Sequence, residues 1–166
     1  MGFPPTRKYQ QEGGQSLRDC FALLRDWSSA PVLDIRDFLD GVICATLTGN
    51  ADAHAKNFSL LYAHGKRRIT PLYDQVCTLA WPELSKTLSM KIGNAGSLAE
   101  VSPEHFKQLS AEAGLGWPMV RERLAELCQK TATAIRSDEI PATSTIAAET
   151  TLARAERMLH LMGGRK

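Results

Sequence analysis

The chain is organised around one polar stretch, Gly49-Asn50-Ala51-Asp52-Ala53-His54-Ala55-Lys56-Asn57-Phe58-Ser59-Leu60-Leu61. The residues before it have a helical pattern that Gly49 is placed to end, and residues 58–62 have the pattern of a short strand. A polar loop held between a helix and a strand often carries catalytic groups, because rigid flanks fix the geometry of its side chains. This loop is therefore the first candidate for a functional site.

Three side chains in and after the loop have the spacing of a phosphoryl-transfer site. Asp52 and Asn57 are five residues apart, and Asp74 follows the next strand-like segment, at the end of Pro71-Leu72-Tyr73-Asp74. Phosphoryl transfer needs a carboxylate to orient the attacking hydroxyl and oxygen ligands to hold Mg²⁺. A loop Asp, an Asn five residues later and an Asp beyond a hairpin is the protein-kinase order. The spacing predicts Asp52 as the base and Asn57 and Asp74 as metal ligands.

Two helices are predicted before the loop. Ser16 is expected to cap the first, which Ser28-Ser29-Ala30-Pro31 breaks. Asp34 is expected to cap the second, a broadly apolar helix that should be deeply buried. The inward residues are expected to be Leu17, Cys20, Phe21, Leu24 and Trp27 in the first helix, and Ile35, Phe38, Leu39, Val42, Ile43 and Leu47 in the second.

A β-hairpin is predicted after the loop, because residues 58–62 and 68–72 flank a polar, Gly-containing turn over residues 63–67. The turn would return Asp74 to the side of Asn57, so that both side chains could bind one ion. Residues 87–92 alternate in polarity and predict another strand, followed by a loop over residues 93–96. Inward residues of the later helices are expected to be Phe106, Leu109, Val120, Leu124, Leu127, Ile135, Leu152, Ala155, Leu159 and Met162.

These elements predict one domain over residues 1–166 that is mainly α-helical with a small β-hairpin (α+β). We divide it into an irregular lead-in over residues 1–15, a catalytic core segment over residues 16–93 and a helical part over residues 94–166. The net charge of +2 does not by itself indicate a nucleic-acid binder. The four cysteines have no Cys-x-x-Cys pair and are expected to be reduced core thiols. No apolar run approaches membrane-spanning length, and the cytoplasm is the expected compartment.

The residues from Asn50 to Leu61 resemble the catalytic loop of HipA-type kinases, the toxin components of bacterial toxin–antitoxin modules. Three further segments fit that family in order along the chain. They are Pro4-Pro5-Thr6-Arg7-Lys8-Tyr9 with Gly13-Gly14 after it, then Pro71-Leu72-Tyr73-Asp74, then Met90-Lys91-Ile92-Gly93. The resemblance extends from about Gly2 to Gly93, and more loosely through the helical remainder.

The resemblance implies a Ser/Thr protein kinase that uses ATP and Mg²⁺ and has a two-lobed, kinase-like fold. This chain would be the C-lobe, with the fold of a HipA C-terminal domain. Well-known members phosphorylate an aminoacyl-tRNA synthetase and pair with a helix-turn-helix antitoxin of the HipB type. A protein substrate of that kind, such an antitoxin and an indirect association with DNA through it are therefore the expected partners, with no membrane.

The cofactor-binding residues expected on this basis are His54, Lys56, Asn57, Tyr73 and Asp74. The His54 position lies near the nucleotide in family members, although its ring could equally satisfy a nearby backbone carbonyl. Lys56 is expected to neutralise a phosphate, since a flexible ammonium suits that task, although it could also be a solvated side chain.

The pattern of an ordinary kinase is incomplete in this chain. No Gly-rich phosphate loop and no strand Lys in a Val-Ala-Ile-Lys-like setting appear before Asp52. Only about fifty residues precede that Asp, too few for a nucleotide-gripping lobe. We therefore expect the C-terminal part of a kinase, inactive on its own.

Two other function classes are compatible with the sequence. One is a metal-assisted hydrolase with Asp52, His54 and Asp74 around one ion, which would favour Zn²⁺ or Mn²⁺ over Mg²⁺. The other is a non-enzymatic fragment that retains a surface for docking the antitoxin. The four basic residues Arg121, Arg123, Lys130 and Arg136 are expected to form a solvated face rather than a DNA-binding patch.

Overall fold

The computed structural model describes residues 9–137 and 140–163. It confirms a mainly α-helical fold with small antiparallel hairpins, because 59% of the protein is helical. The elements are α1 (Leu17–Trp27), α2 (Pro31–Thr48), β1 (Leu60–Ala63), β2 (Lys66–Ile69), β3 (Thr87–Ile92), β4 (Ala95–Ser97), α3 (Pro103–Glu112), α4 (Trp117–Ser137) and α5 (Thr145–Gly163). Residues 4–8, which carry part of the family resemblance, lie outside the described residues.

Helix α1 begins as predicted with a capping box. The Ser16 hydroxyl accepts a hydrogen bond from the Asp19 N–H at 3.2 Å, and the Asp19 carboxylate accepts from the Ser16 N–H at 3.0 Å. Each side chain thus satisfies a backbone donor that the first helical turn leaves open. The apolar face of α1 packs on α2, and its buried residues are Leu17, Cys20, Phe21 and Leu24.

Helix α2 ends at the predicted glycine. Gly49 has a left-handed backbone with φ of 75°, and the N–H of Asn50 donates to the carbonyl of Ala45 at 2.9 Å. A Cβ atom at Gly49 would lie only 2.9 Å from Leu79 Cδ1, so backbone conformation and space both favour glycine here. This end of α2 fixes the direction in which the polar loop leaves the helix.

Asp34 does not cap α2, and this prediction was wrong. Helix α2 begins at Pro31, and the completely buried Asp34 carboxylate lies in its first turn. It accepts hydrogen bonds from Ser28 Oγ at 2.5 Å, Arg68 Nε at 2.7 Å and the Ile69 N–H at 3.1 Å. Proline is well suited to the first helical position, which moves the helix start ahead of Asp34. The Asp34 carboxylate instead attaches helix α2 to strand β2.

The hairpin of β1 and β2 has a shorter turn than predicted. Leu60 pairs with Ile69 and Ala63 with Lys66, so that His64 and Gly65 form the turn. Both have left-handed backbones, with φ of 50° and 72°, which is the conformation of a type I′ turn. The prediction of a five-residue turn over residues 63–67 was wrong, because this two-residue turn lets pairing continue up to Ala63.

A second hairpin follows, of which only one strand was predicted. Strand β3 has the predicted bounds, but Ala95 pairs back with Ile92, and β4 replaces the expected loop over residues 93–96. Gly93 has φ of 55°, which permits the tight reversal. A strand of three residues, Ala95–Ser97, is too short to show a period-2 pattern in the sequence.

The C-terminal helices complete the core beneath these elements. Helix α5 packs on α2 and α4, and its Ala155 is fully buried. Arg154 of α5 donates from Nε to the carbonyl of Thr46 at 2.6 Å and from Nη2 to the carbonyl of Leu98 at 3.2 Å. A cation at the last turn of α2 is favourable for the helix dipole. Helix α5 therefore stabilises the helix end from which the polar loop leaves.

The four cysteines are free thiols, as predicted; three of them are buried and Cys44 is half-buried. Burial raises the pKa of Cys20 to about 12 and that of Cys128 to about 12. Thiols of this kind are unreactive because the thiolate is disfavoured. Among the residues that the structure describes, no helix combines the length and apolar character needed to cross a bilayer.

Phe38 on α2 links the core to the segment that follows the loop. Its ring is in edge contact with Phe21 at 4.8 Å and with Phe58 at 4.6 Å between centroids. We expect Phe38→Ala to lower the free energy of unfolding by about 3–5 kcal/mol, since it leaves a cavity in the core. Val32→Ala, on the exposed face of the same helix, should change it by less than about 0.5 kcal/mol. Urea denaturation measures both, and equal effects would contradict the packing.

Candidate functional site

The loop after α2 is held by a buried amide. Asn50 is only 4% exposed, and its Oδ1 accepts a hydrogen bond from the Asp52 N–H at 3.1 Å. Its Nδ2 donates to the carbonyl of Asp74 at 3.0 Å. One side chain therefore contacts the backbone of both predicted acidic site residues.

Thr78 holds the same loop from the segment after Asp74. Its Oγ1 accepts from the Ala51 N–H at 2.9 Å and donates to the carbonyl of Gly49 at 3.0 Å. The Ser89 N–H of β3 donates to the carbonyl of Ala51 at 2.9 Å. The first loop residues are thus bonded on both sides and have little freedom to move.

The two predicted metal ligands lie in direct contact. Asn57, which is buried, donates a hydrogen bond from Nδ2 to Asp74 Oδ2, and its Oδ1 accepts from the His54 N–H at 3.1 Å. Asp74 has a left-handed backbone with φ of 56°, which is unusual for a residue other than glycine. The hairpin brings these residues together as expected, although their roles as metal ligands stay predictions.

Asp52 is exposed and lines a cavity of about 420 Å³. Ser89 Oγ donates to Asp52 Oδ1 at 3.3 Å, which helps to orient the carboxylate. Apolar parts of the cavity wall come from Ala51, Leu84 and Leu88. A carboxylate at the edge of an open cavity is accessible to a hydroxyl group from another molecule, which a general base requires.

Tyr9 lines the same cavity and interacts with Asp52. The negative charge of Asp52 raises the pKa of the Tyr9 phenol, and burial and a hydrogen bond between the two side chains act in the same direction. Tyr9, the first residue that the structure describes, thus forms part of the cavity wall next to Asp52, the predicted base.

The other three predicted cofactor-binding residues are neighbours of Asn57 and Asp74 along the chain or by hydrogen bond. His54 is buried, and its backbone N–H is the group that orients the Asn57 amide. The Tyr73 hydroxyl donates to the carbonyl of Lys56 at 2.6 Å and lies 2.7 Å from Ser59 Oγ. Tyr73 therefore attaches the end of the hairpin to the loop, while the Lys56 side chain is exposed.

The structure does not assemble the metal site of the hydrolase alternative. Within residues 9–137 and 140–163, no three His, Cys, Asp or Glu side chains are grouped so that they could hold a metal ion. Asp52, His54 and Asp74 therefore do not surround one point. The carboxylate–amide pair of Asp74 and Asn57 is the arrangement that the loop provides instead.

The basic residues of α4 are mostly neutralised by carboxylates. Arg123 contacts Asp40 through Nε at 2.9 Å and Nη2 at 2.6 Å, and Lys130 contacts Glu126 at 2.7 Å. Arg136 also has a carboxylate partner, in Glu156. Lys130 and Arg136 are exposed, as expected of a solvated face, whereas Arg123 is only 21% exposed and joins α4 to α2, contrary to that prediction. These ion pairs reduce the field available to a DNA phosphate.

No role was predicted for Asn50, Thr78 or Ser89, although all three contact the loop or Asp52. A signal was available for Asn50, because an Asn after a helix-ending Gly commonly bonds the backbone two residues on. Thr78 and Ser89 are remote in sequence, and their contacts depend on tertiary packing that no local pattern shows.

This fold and loop define a class of protein. A helical lobe that presents an Asp, an Asn five residues later and a second Asp beyond a hairpin has the architecture of a protein-kinase C-lobe. The family model described as "HipA-like C-terminal domain" matches residues 1–135. The chain belongs to this family.

Similar proteins agree with this membership. A Sinorhizobium fredii protein named "Putative kinase Y4mE" is 44% identical over 135 residues, which are 81% of this chain and 32% of the relative. The Shewanella oneidensis protein named "Serine/threonine-protein kinase toxin HipA" is 31% identical over a match 102 positions long, and the match covers 55% of this chain and 24% of that protein. The chain thus spans about a third or less of the length of these relatives.

A solved structure shows the same fold. It is the complex titled "Shewanella oneidensis MR-1 Toxin Antitoxin System HipA, HipB and its operator DNA complex". The matching chain has a TM-score of 0.87 and 23% sequence identity, and the match covers 98% of this chain and 43% of that chain. The kinase-like fold predicted from the sequence is therefore confirmed, including the helices beyond residue 135.

The contact between Tyr9 and Asp52 can be tested by titration. We expect Asp52→Asn to lower the pKa of Tyr9 towards its ordinary value of 10.0, because the Asp52 charge is the largest cause of the shift. Glu12→Gln should lower it less, since the Glu12 charge is the smallest cause. The ¹³C NMR titration of the tyrosine Cζ atoms measures both. An unchanged Tyr9 pKa in Asp52→Asn would show that the two side chains are not neighbours.

Proposed function

We propose that this chain is the catalytic-lobe portion of an ATP- and Mg²⁺-dependent serine/threonine protein kinase of the HipA toxin type. The main support for the proposal is the contact of Asn57 with Asp74, next to the loop that contains Asp52. The chain that makes this contact is a member of the HipA-like C-terminal domain family. The three residues are those that phosphoryl transfer requires, in the kinase order.

Asp52 acts as the base in this proposal. The Asp52 carboxylate is exposed at a cavity and is oriented by Ser89 Oγ. The Asp52 backbone is fixed by a hydrogen bond to Asn50. The carboxylate would accept a hydrogen bond from the Ser or Thr hydroxyl of a protein substrate and take its proton as that oxygen bonds to the γ-phosphorus of ATP. The bond from this phosphorus to the bridging oxygen would break, and ADP would leave. A fixed backbone keeps the carboxylate aimed at the hydroxyl, which is how such a group contributes to the rate.

The donor types of Asn57 and Asp74 fit Mg²⁺, which prefers carboxylate and amide oxygens. Asp74 is exposed, so phosphate oxygens and water could reach the same ion. The ion would neutralise charge on the nucleotide phosphates. The Asn57 amide turns its nitrogen to Asp74 and its oxygen to the His54 N–H. The amide would have to rotate to give its oxygen to an ion at Asp74, and both hydrogen bonds would then break.

The remaining cofactor-binding residues have different tasks in this proposal. The Lys56 ammonium neutralises phosphate charge from the loop surface. The backbone N–H of His54 holds the Asn57 amide in the orientation that the structure shows. Tyr73 fixes the hairpin to the loop through its hydroxyl, and its exposed ring is available to contact the nucleotide.

The partners in this proposal are those of a toxin kinase. The solved neighbour is a complex whose title names HipA, HipB and operator DNA, which supports a HipB-type antitoxin as partner and DNA association through that antitoxin. The ion pairs on α4 favour such an indirect association over direct DNA binding by this helix. We propose an aminoacyl-tRNA synthetase as the protein substrate and the cytoplasm as the compartment, on the basis of the family resemblance.

The catalytic-lobe portion would need a second lobe for activity. It spans 32% of one relative and 43% of the neighbouring structure's chain, and exposed apolar side chains flank Asp74. These side chains are Leu72, Tyr73 and Val76. Without a covering lobe the site is screened by solvent, and electrostatic contacts to phosphate are weak.

In the two-lobed enzyme, we expect Asp52→Asn to lower kcat by roughly 10²–10⁴-fold, since it removes the proton acceptor without changing shape. ATP·Mg²⁺ affinity should stay unchanged in Asp52→Asn and fall in Asp74→Asn. Asp26→Asn, on an exposed face of α1, is the matched control and should change neither quantity. Phosphate transfer from radiolabelled ATP and nucleotide titration measure these effects. Full activity of Asp52→Asn would contradict the proposed base.

The isolated chain of 166 residues should bind ATP·Mg²⁺ more weakly than about 1 mM, or −4 kcal/mol. Adding the upstream lobe, in cis or as a separate chain, should restore binding and phosphoryl transfer. Isothermal titration calorimetry measures the ATP·Mg²⁺ affinity of the isolated chain and of the chain with the upstream lobe added. Micromolar affinity of the isolated chain, about −8 kcal/mol, would show that the site is already complete. Binding of an antitoxin by the two-lobed form without any ATP turnover would favour the non-enzymatic alternative.

A further inference from the structure

Asn50 contacts both acidic residues of the proposed site but is neither a base nor a metal ligand in it. We propose that Asn50 is a positioning residue, which sets the base Asp52 and the metal ligand Asp74 at a fixed separation through the two ends of one amide. This inference rests on the proposed function. It adds a residue that connects the proposed base, Asp52, to the proposed metal ligand, Asp74.

The contact with Asp74 holds an unfavourable backbone conformation. Asp74 has φ of 56°, where a residue with a Cβ atom is disfavoured. The Asn50 amide binds the Asp74 carbonyl at 3.0 Å, and the Asn57 amide binds the Asp74 carboxylate. One amide thus fixes the main chain of Asp74 and the other fixes its side chain. Backbone strain at functional sites persists where the surrounding contacts determine the conformation in this way.

The contact with Asp52 is a local turn. Asn50 Oδ1 accepts from the N–H two residues later, at 3.1 Å, which is the geometry of an Asx turn. Asn50 is 4% exposed, so water cannot readily replace either hydrogen bond. The turn sets the direction in which the Asp52 side chain leaves the loop.

Asparagine is the residue type that this position requires. The contact with Asp74 needs a donor and the contact with Asp52 needs an acceptor, and a planar amide supplies both. Serine could preserve the turn to Asp52, since a hydroxyl forms the same local hydrogen bond more weakly. Its shorter side chain would lose the contact with Asp74. The hydrogen bond of Asn50 to Asp52 and its hydrogen bond to Asp74 can therefore be separated by mutation.

Asn50→Ala and Asn50→Ser test this role, with Thr46→Val as a matched control. Thr46 is 2% exposed and donates from Oγ1 to the carbonyl of Val42 at 2.9 Å, so the control also removes a buried hydrogen bond of α2 but none in the loop. In the two-lobed enzyme with ATP present, where phosphate oxygens can complete the metal site, we expect both Asn50 variants to raise the Kd of Mn²⁺ by about 10–100-fold, measured by electron paramagnetic resonance. Thr46→Val should leave the Mn²⁺ Kd unchanged.

Amide hydrogen exchange provides a second readout that does not depend on metal. The Asp52 amide should exchange faster in Asn50→Ala, whereas Asn50→Ser should retain most of its protection. A Mn²⁺ Kd within twofold of the parent in both Asn50 variants would overturn the proposal. An increase in the Mn²⁺ Kd of Thr46→Val as large as that in Asn50→Ala would also overturn it, because the loss of affinity would then come from lower stability of the fold.

The test separates this inference from the proposed function. If the two-lobed parent enzyme binds no Mn²⁺ at Asp74 with ATP present, the proposed metal site fails. The crystal structure of Asn50→Ala then decides the positioning role. Asp74 leaving its left-handed conformation would support that role, and Asp74 keeping its φ near 56° would overturn it.

Discussion

The contact between the Asn57 amide and the Asp74 carboxylate is the interaction on which the rest of the site depends. The two residues are separated by the hairpin of β1 and β2, and its two-residue turn is what returns the chain to the loop. Asp74 faces Asn57 from a left-handed backbone with φ of 56°. The site is therefore a consequence of how this hairpin is closed and anchored.

The anchoring comes from the buried helix α2. Its first turn holds β2 through the Asp34 carboxylate, and its last turn is stabilised by Arg154 of α5. In between, Gly41 lets the side chains that flank the hairpin approach closely, because a Cβ atom there would lie 2.6 Å from Leu72. One rigid helix thus fixes both the start of the loop and the position of the hairpin, which is how a solvent-exposed site keeps its geometry.

Local sequence signals predicted much of this arrangement. Gly49 ended its helix, β3 had the expected bounds, and the spacing of Asn57 and Asp74 predicted their contact. The failures share a physical cause. The role of Asp34 depends on Arg68 and Ile69, which are more than thirty residues away. The contact of Asn50 with the Asp74 carbonyl likewise depends on tertiary packing. Strand β4 (Ala95–Ser97) is too short for a periodic signal.

Mapping a bound cation tests most directly whether Asp52, Asn57 and Asp74 form one metal-dependent site. Mn²⁺ can be titrated into the ¹⁵N-labelled chain, and paramagnetic line broadening then reports which amides lie near the ion even when binding is weak. We predict that broadening begins at Asn57 and Asp74 and extends to Asp52, and that Asp74→Asn removes it. Broadening centred on another acidic surface, such as that around Glu126 on α4, with the loop signals unaffected, would contradict a metal site at Asn57 and Asp74.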